Sequence, residues 1–517
     1  MADLIFENGV LLTQEPARPV AEALAVSGGR IVALGSREDL ASLSRPGSRR
    51  IDLAGRTLIP GFNDAHAHVW KIGQLATGML DLRGVESLAA LQARLRQAAA
   101  PLPAGAWLLG RGYNEAEMRE GRQPNRWDLD AAIADRPVYL TRTCGHIVAV
   151  NSRALTLAGV GPATDPPPGG VIERNVGGEP TGLLHETAVG LLSPYLPQPT
   201  AEEYAAMVRA ASRHQLERGI TSAADCGVLP DLLAAYLEMD ERGELLHRLN
   251  VMPLRRRDGS TTNLPLPQRQ VSEKLRVDTV KLFADGGMSG ATAAISEPYR
   301  HSGGQGLLRF EAAELRELVE EAERAGWQVA VHAIGDRALD QVLSAFESQN
   351  GRRRRRIEHF GLPDAALLSR AARLEIRVVP QPVFLHSLGR NFRQYLPESF
   401  LARTYPLRSM LEAGLAVALS SDAPVVSDDN PLLGIRAAIR REGIAPEQAV
   451  SAAEALYAYT MGGADASGDQ GNRGSLALGK WADLVVLSDN PLVVEPEALT
   501  EIRVDMTFVG GKLVYEK

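Results

Sequence analysis

The sequence predicts an α/β chain built on a (β/α)8 barrel of the TIM type, and three observations predict it. Strand-like apolar runs alternate with amphipathic helical stretches through the middle of the chain, the pattern of a parallel sheet covered by helices. Both ends are β-rich instead, with short runs broken by Asn-Gly and Gly-Gly turns. Polar residues able to bind a metal or move a proton close several of the central runs.

At 517 residues the chain exceeds one small core, so a large domain with an accessory domain is expected. The first strands read as Leu4–Gly9 and Ala23–Gly35, the latter folded at Gly28-Gly29. Ala482–Leu487 and Met506–Tyr515, folded at Gly510-Gly511, have the same character. Chain ends often lie close together, so residues 1–60 plus 465–517 are expected to form one composite β-sandwich. Residues 61–464 are then the barrel. Within them Thr279–Phe283, Gln328–His332, Ile376–Pro380 and Leu415–Leu419 read as strands, and Glu311–Ala325 and Asp336–Glu347 as helices. From about 70 to 200 the chain is richer in Pro and Gly, as in Pro166–Gly170. That segment is expected to be an insertion over the barrel mouth.

A net charge of −7 with no basic stripe argues against a nucleic-acid partner. Arg352–Arg356 is the only dense basic cluster, and it reads as a solvated loop before a strand. Cys144 and Cys226 are too few and too far apart to form a disulfide framework. The N-terminus lacks the pattern of a signal peptide, and no apolar run has the length of a bilayer span. The expectation is a cytoplasmic protein with a small-molecule substrate and no membrane partner. A homodimer follows from the base rate of symmetric assemblies.

His66-Ala67-His68 follows the apolar run Thr57–Gly61. Positions i and i+2 of a strand share a face, so both imidazoles can reach one metal. Alone the motif is weak. Lys281, His332, His359 and Asp422 also lie within or at the ends of strand-like runs, and a barrel gathers such residues into one pocket. Taken singly, His332 or His359 reads more readily as a core histidine, and Asp422 as a helix cap. Lys281, between Val280 and Leu282, would bury an unpaired charge at high cost. Lysines number only six against fifty arginines, so a lysine here implies chemistry that needs an amine able to lose its proton.

With these residues in view, the chain resembles the amidohydrolase superfamily of metal-dependent hydrolases. Val280–Gly286, Val331–Ala338, Ile357–His359, Ser421–Val425 and Gly479–Leu487 are similar to amidohydrolase family 3, the branch that contains N-substituted formamide deformylase. The resemblance implies that His66, His68 and Asp422 bind one divalent metal, zinc, and that His332 and His359 bind a second. A carboxylated Lys281 would bridge the two; unmodified, it would leave a one-metal site. Bound metal would lower the pKa of a water molecule, and Asp422 would serve as general base and then acid. The implied reaction is hydrolysis of a C–N bond in a small neutral N-acyl, N-formyl or cyclic amide. Hydrolytic deamination and ester or lactone hydrolysis use the same site, and a non-catalytic scaffold is the remote alternative.

Cys144–Ser152 also looks like a segment these proteins carry, with His146 polarising a carbonyl or orienting substrate. The competing expectation is that His146 bonds local backbone. His185-Glu186 and Gln381-Pro382 are expected to line the pocket, with His185 and Gln381 contacting substrate. Gly286–Gly290 is expected to form a flexible loop over the site.

Overall fold

The computed structural model describes residues 2–349 and 354–517 and shows a mixed α/β fold. Phe62–Ala67, Ile220–Val228 and Arg248–Pro253 lie side by side in one sheet, and neighbours among them run parallel. Thr279–Phe283, Gln328–Ala333, Arg355–His359, Arg377–Val379 and Ala416–Val417 form a second sheet, parallel throughout. Helices such as Pro230–Glu241, Ala312–Arg324, Asp336–Glu347 and Ala365–Arg373 connect successive strands, as parallel pairing requires. Their apolar faces bury Leu315, Leu318, Leu339, Val342 and Leu367 in the largest core.

The strands expected in one ring are therefore divided between two sheets. At one seam Leu254 bridges to Lys281 in parallel. At the other, the Asp422 N–H donates to the His66 carbonyl (2.7 Å), and the His68 N–H to the Ala423 carbonyl (2.8 Å). The run expected over Leu415–Leu419 is a strand only at Ala416–Val417. Beyond it the Leu419 N–H turns to the Ala458 carbonyl, which takes the chain out of the ladder and toward Asp422.

The two chain ends meet in one sheet. Its order is Lys512–Glu516, Val504–Val509, Leu484–Leu487, Thr57–Pro60, Val10–Leu12 and Val20–Ala21. A second sheet, from Arg30–Gly35 across to Arg49–Asp52, shares its core: Phe6, Leu24, Leu58, Leu484 and Phe508 bury together. The hairpins at Gly28-Gly29 and Gly510-Gly511 place both residues at positive φ, which glycine adopts without cost.

The Pro- and Gly-rich segment is more than an interruption. It contains a six-stranded mixed sheet running from Leu80–Asp81 to Gly170–Arg174, with apolar clusters of its own. Two further expectations change. Arg352 and Arg353 lie outside the described residues, but Arg355 and Arg356 are not a solvated loop: both are buried in the strand Arg355–His359. Arg355 pairs with Glu323 and Arg356 with Glu358, so each cation enters the interior with its anion. Gly286–Gly290 is likewise no free loop. Met288 and Ser289 are buried, and the Ser289 carbonyl accepts from Arg142 (2.7 Å) and Asn391 (3.4 Å). No helix among the described residues is long and apolar enough to cross a membrane.

Candidate metal centre and its cavity

Phe62–Ala67 is buried along its whole length, and it carries His66 into the interior. His68 follows as the residue that precedes the helix Val69–Thr77. Each imidazole is aimed by its Nδ1. That of His66 bonds the Glu358 carboxylate at 2.5 Å, and that of His68 the Cys226 carbonyl at 2.9 Å. With Nδ1 tied off behind, both Nε2 atoms face Asp422 Oδ1, at 3.4 Å and 3.3 Å. Ligand atoms of His66, His68 and Asp422 all fall within 4.8 Å of one another. His66, Cys226 and Glu358 also meet that distance, but Glu358 is already held by Arg356 and by His66.

His359 is aimed in the same way, its Nδ1 donating to Gln381 Oε1 at 2.6 Å. Its ring lies 4.8 Å from that of His66 and 4.4 Å from that of His332, centroid to centroid. His332 is turned about: its Nε2 lies 3.1 Å from the Gly286 carbonyl, and its Nδ1 is buried with no partner. Lys281 is fully buried, and its Nζ too has no hydrogen-bond partner. Asp422 Oδ1 makes none of acceptable geometry either. Three orphaned donor atoms among four imidazoles are a costly arrangement unless something coordinates them, and the donor set fits one or two divalent ions.

The electrostatics agree with that fit. Burial drives His68 and His359 down to about 3, which keeps both imidazoles neutral and able to coordinate. Lys281 is lowered by burial toward the free amine. Burial opposes ionisation of Asp422, but His66 outweighs it and holds the carboxyl well below its ordinary range. His66 is itself held well above its ordinary value against burial, with Asp422 and Glu358 among the causes. His359 and Asp422 both have positive φ, +70° and +56°, a conformation that a non-glycine residue holds only when its surroundings impose it.

These groups open into a cavity of about 950 Å³, walled also by His146, Glu186, Lys71 and Arg111. The sequence of residues 49–515 matches the model of the Amidohydrolase family. The chain belongs to that family. It is similar to N-substituted formamide deformylase of Arthrobacter pascens, with 31% identity covering 100% of this chain and 99% of that one. Protein LONG AFTER FAR-RED 3 of Arabidopsis thaliana is 32% identical, over 100% of this chain and 92% of its own. Among solved structures, a metal-dependent hydrolase of Pyrococcus horikoshii OT3 superposes with a TM-score of 0.77 at 27% identity. The match covers 96% of this chain and 99% of that one. As an amidohydrolase, the chain is an enzyme.

Within this amidohydrolase, His66, His68, Lys281, His332, His359 and Asp422 come together. His146 lines the cavity, and its Nδ1 bonds Glu186 at 2.9 Å instead of local backbone. His185 does not reach the cavity. Side chains alternate along the strand Pro180–Glu186, so Glu186 faces inward while His185 turns toward Glu173, 3.8 Å away. Gln381 also lies off the cavity wall: it is fully buried behind His359, donating to the Val379 carbonyl and to Ser420. Its part is to aim His359. Sequence reasoning missed Asp64, which accepts from the Ser421 hydroxyl (2.5 Å) and N–H (3.0 Å) and ties the two arms of the site together. It also missed the role of Glu358, although that residue's place beside His359 in a strand was a usable signal.

Proposed function

We propose that the two parallel sheets are halves of a (β/α)8 barrel, closed at the Leu254–Lys281 bridge and at the Asp422–His66 bond. In this reading the composite terminal sheets form a β-sandwich, and the chain hydrolyses a C–N bond of a small-molecule amide at the mouth of the barrel. The observation that carries it is the burial of Lys281 Nζ, His332 Nδ1 and Asp422 Oδ1 without a hydrogen-bond partner, beside three imidazoles whose Nδ1 atoms are tied off behind them. His66, His68 and Asp422 would hold one divalent ion, zinc in the first instance, and His332 and His359 a second. The Lys281 amine, which burial makes easier to deprotonate, would add to CO₂ with release of a proton, and the resulting carbamate would supply a carboxylate ligand to such ions.

When bound, such an ion activates water and polarises the scissile carbonyl. Asp422, ionised at neutral pH, accepts the water's proton and returns it to the leaving nitrogen. His146, fixed by Glu186 and lining the cavity, orients the substrate carbonyl. The name of the Arthrobacter relative supports amides, formamides included, as the class to try first.

The test is a panel of formamides, N-acyl amino acids, cyclic imides and esters, run beside metal analysis of the gently purified protein. One or two divalent ions per chain are expected. Asp422→Asn should lower the turnover of any substrate found by roughly 10²–10⁴-fold. A chain without metal, or an Asn variant of undiminished rate, would overturn the reading.

A further inference from the structure

Two cations on the wall of the large cavity make no ion pair among the described residues. Arg111, on the strand Leu108–Tyr113, is only 5% exposed and shares the cavity with His66, His68 and Asp422. Its Nε is buried without a partner, and among the described residues its guanidinium makes no ion pair and no hydrogen bond. Lys71, half-buried on the helix Val69–Thr77, lines the same cavity and also lacks an ion pair among the described residues; its ammonium lies 5.9 Å from the Trp70 ring. The two cations sense one another. Burial first and Arg111 next push the Lys71 amine down to about 8.

The other charges of this wall are accounted for. Arg309 pairs with Asp258 and lies 3.7 Å from Glu186, which also holds His146. Arg257 and Asp231 are exposed at the rim and solvated. Asp422 belongs to the candidate metal centre; its charge acts on both Arg111 and Lys71, but it forms an ion pair with neither. A guanidinium buried without a counter-ion is unfavourable unless an anion arrives with a ligand. The planar fork of arginine matches a carboxylate with two parallel hydrogen bonds, and an ammonium beside it adds a point charge.

We propose that Arg111 and Lys71 form an anion subsite for a substrate carboxylate, so that the preferred substrates are carboxylate-bearing amides such as N-acyl or N-formyl amino acids. The apolar side chain of such a substrate has a place against Trp70, Leu229 and Leu232, which share the cavity. This departs from the neutral amide expected of the sequence, and it rests on the hydrolase reading above for the word substrate but not for the subsite.

Two measurements on the intact metal-loaded protein test it. The first is calorimetric titration with phenylacetate and with phenylacetamide, on the wild type, Arg111→Met and Lys71→Met, each first shown to melt as a folded protein. Phenylacetate should bind in preference to phenylacetamide, and its affinity should fall about tenfold to a hundredfold in Arg111→Met, the loss of a charged hydrogen bond. The half-exposed Lys71→Met should weaken it less. Binding that survives in both variants would place the carboxylate elsewhere, on the metal for instance, and would overturn the subsite. So would the absence of any phenylacetate binding by the wild type. This readout stands whether or not an amide is cleaved. The second is kcat/KM for N-formylphenylalanine against its carboxamide. The ratio should favour the acid in the wild type and fall toward one in Arg111→Met, through KM. A wild-type ratio near one or below would refute the carboxylate preference.

Discussion

Glu358 is buried to 0% exposure, one residue before a candidate ligand, and its two oxygens are fully used. One accepts from Arg356 Nε at 2.5 Å; the other accepts from His66 Nδ1 at 2.5 Å and Arg356 Nη2 at 3.0 Å. Arg356 also donates to the Ala65 carbonyl, so one guanidinium braces both the carboxylate and the strand that carries His66. Burial opposes the charge on Glu358, and Arg356 with His66 holds it well below the ordinary range all the same. Replacing the cation by Arg356→Met strands that charge. The expected cost is about 3–5 kcal/mol of stability, read from urea unfolding, because a lone buried carboxylate is far worse than the pair. Metal affinity should fall roughly 10–100-fold, since the group behind a ligand fixes its orientation and tautomer. An unchanged unfolding midpoint together with unchanged metal affinity would show that Arg356 is incidental. In the sequence this residue was one of a run of arginines. Nothing in composition tells an arginine bound for solvent from one whose carboxylate sits two residues further along a buried strand.

Elements bounded by apolar runs were legible, because burial on both faces leaves few alternatives. Thr279–Phe283 and Asp336–Glu347 fall where periodicity puts them, and Glu311 precedes the helix it was read to begin. The strand-end rule likewise gathered six residues that lie far apart in sequence. The side chains behind them were not legible, since hydrogen bonds such as that of Gln381 to His359 join residues of unrelated spacing. His247 is another such link. It is fully buried at the start of the strand Arg248–Pro253, and its Nε2 meets Gln215 Oε1 of the helix Ala201–Glu217 at 2.9 Å. Burial, then Lys274 and Arg473, drive its pKa down to about 3. The unfolded chain takes up this proton below the ordinary value of 6.5, while the folded chain refuses it until about 3. His247 therefore stabilises the fold fully above about 6.5, and that contribution is lost as pH falls through this window, at up to about 1.4 kcal/mol per pH unit. His247→Gln should flatten the dependence between pH 6.5 and 5 relative to the wild type in paired urea titrations. Parallel curves across that range would remove the histidine from the account.

At the scale of the whole molecule, the two chain ends determine how the strand that carries His66 begins. Thr57–Pro60 pairs with Leu484–Leu487 on one side and Val10–Leu12 on the other, and the chain then passes through Gly61 into Phe62–Ala67. The Gly61 N–H donates to the Asp483 carbonyl at 2.8 Å, while the Asp483 carboxylate takes two bonds from Arg248, at 2.6 Å and 3.0 Å. One C-terminal residue thus fastens the approach to His66 and the start of the parallel strand next but one in the same sheet. That the ends would meet could be read from their shared turn chemistry. Which strand of one end would lie beside which of the other could not, because a pairing between residues more than four hundred positions apart leaves no local mark. A chain ended at Gly479 loses Leu484–Leu487, Val504–Val509 and Lys512–Glu516, leaves Thr57–Pro60 as an open edge, and exposes Phe6 and Leu58. It also leaves Arg248 buried without its carboxylate, a loss of about 3–5 kcal/mol by itself. Such a chain should aggregate or melt well below the intact protein, and its soluble fraction should hold less metal per chain, because the strand that bears His66 and leads into His68 no longer enters from a fixed position. Asp483→Asn, which keeps the sheet and weakens the Arg248 pair, should fall between the two in melting midpoint. A truncated chain that melted with the intact protein and carried its full metal would show that the two parallel sheets fold and assemble the site without the C-terminal strands.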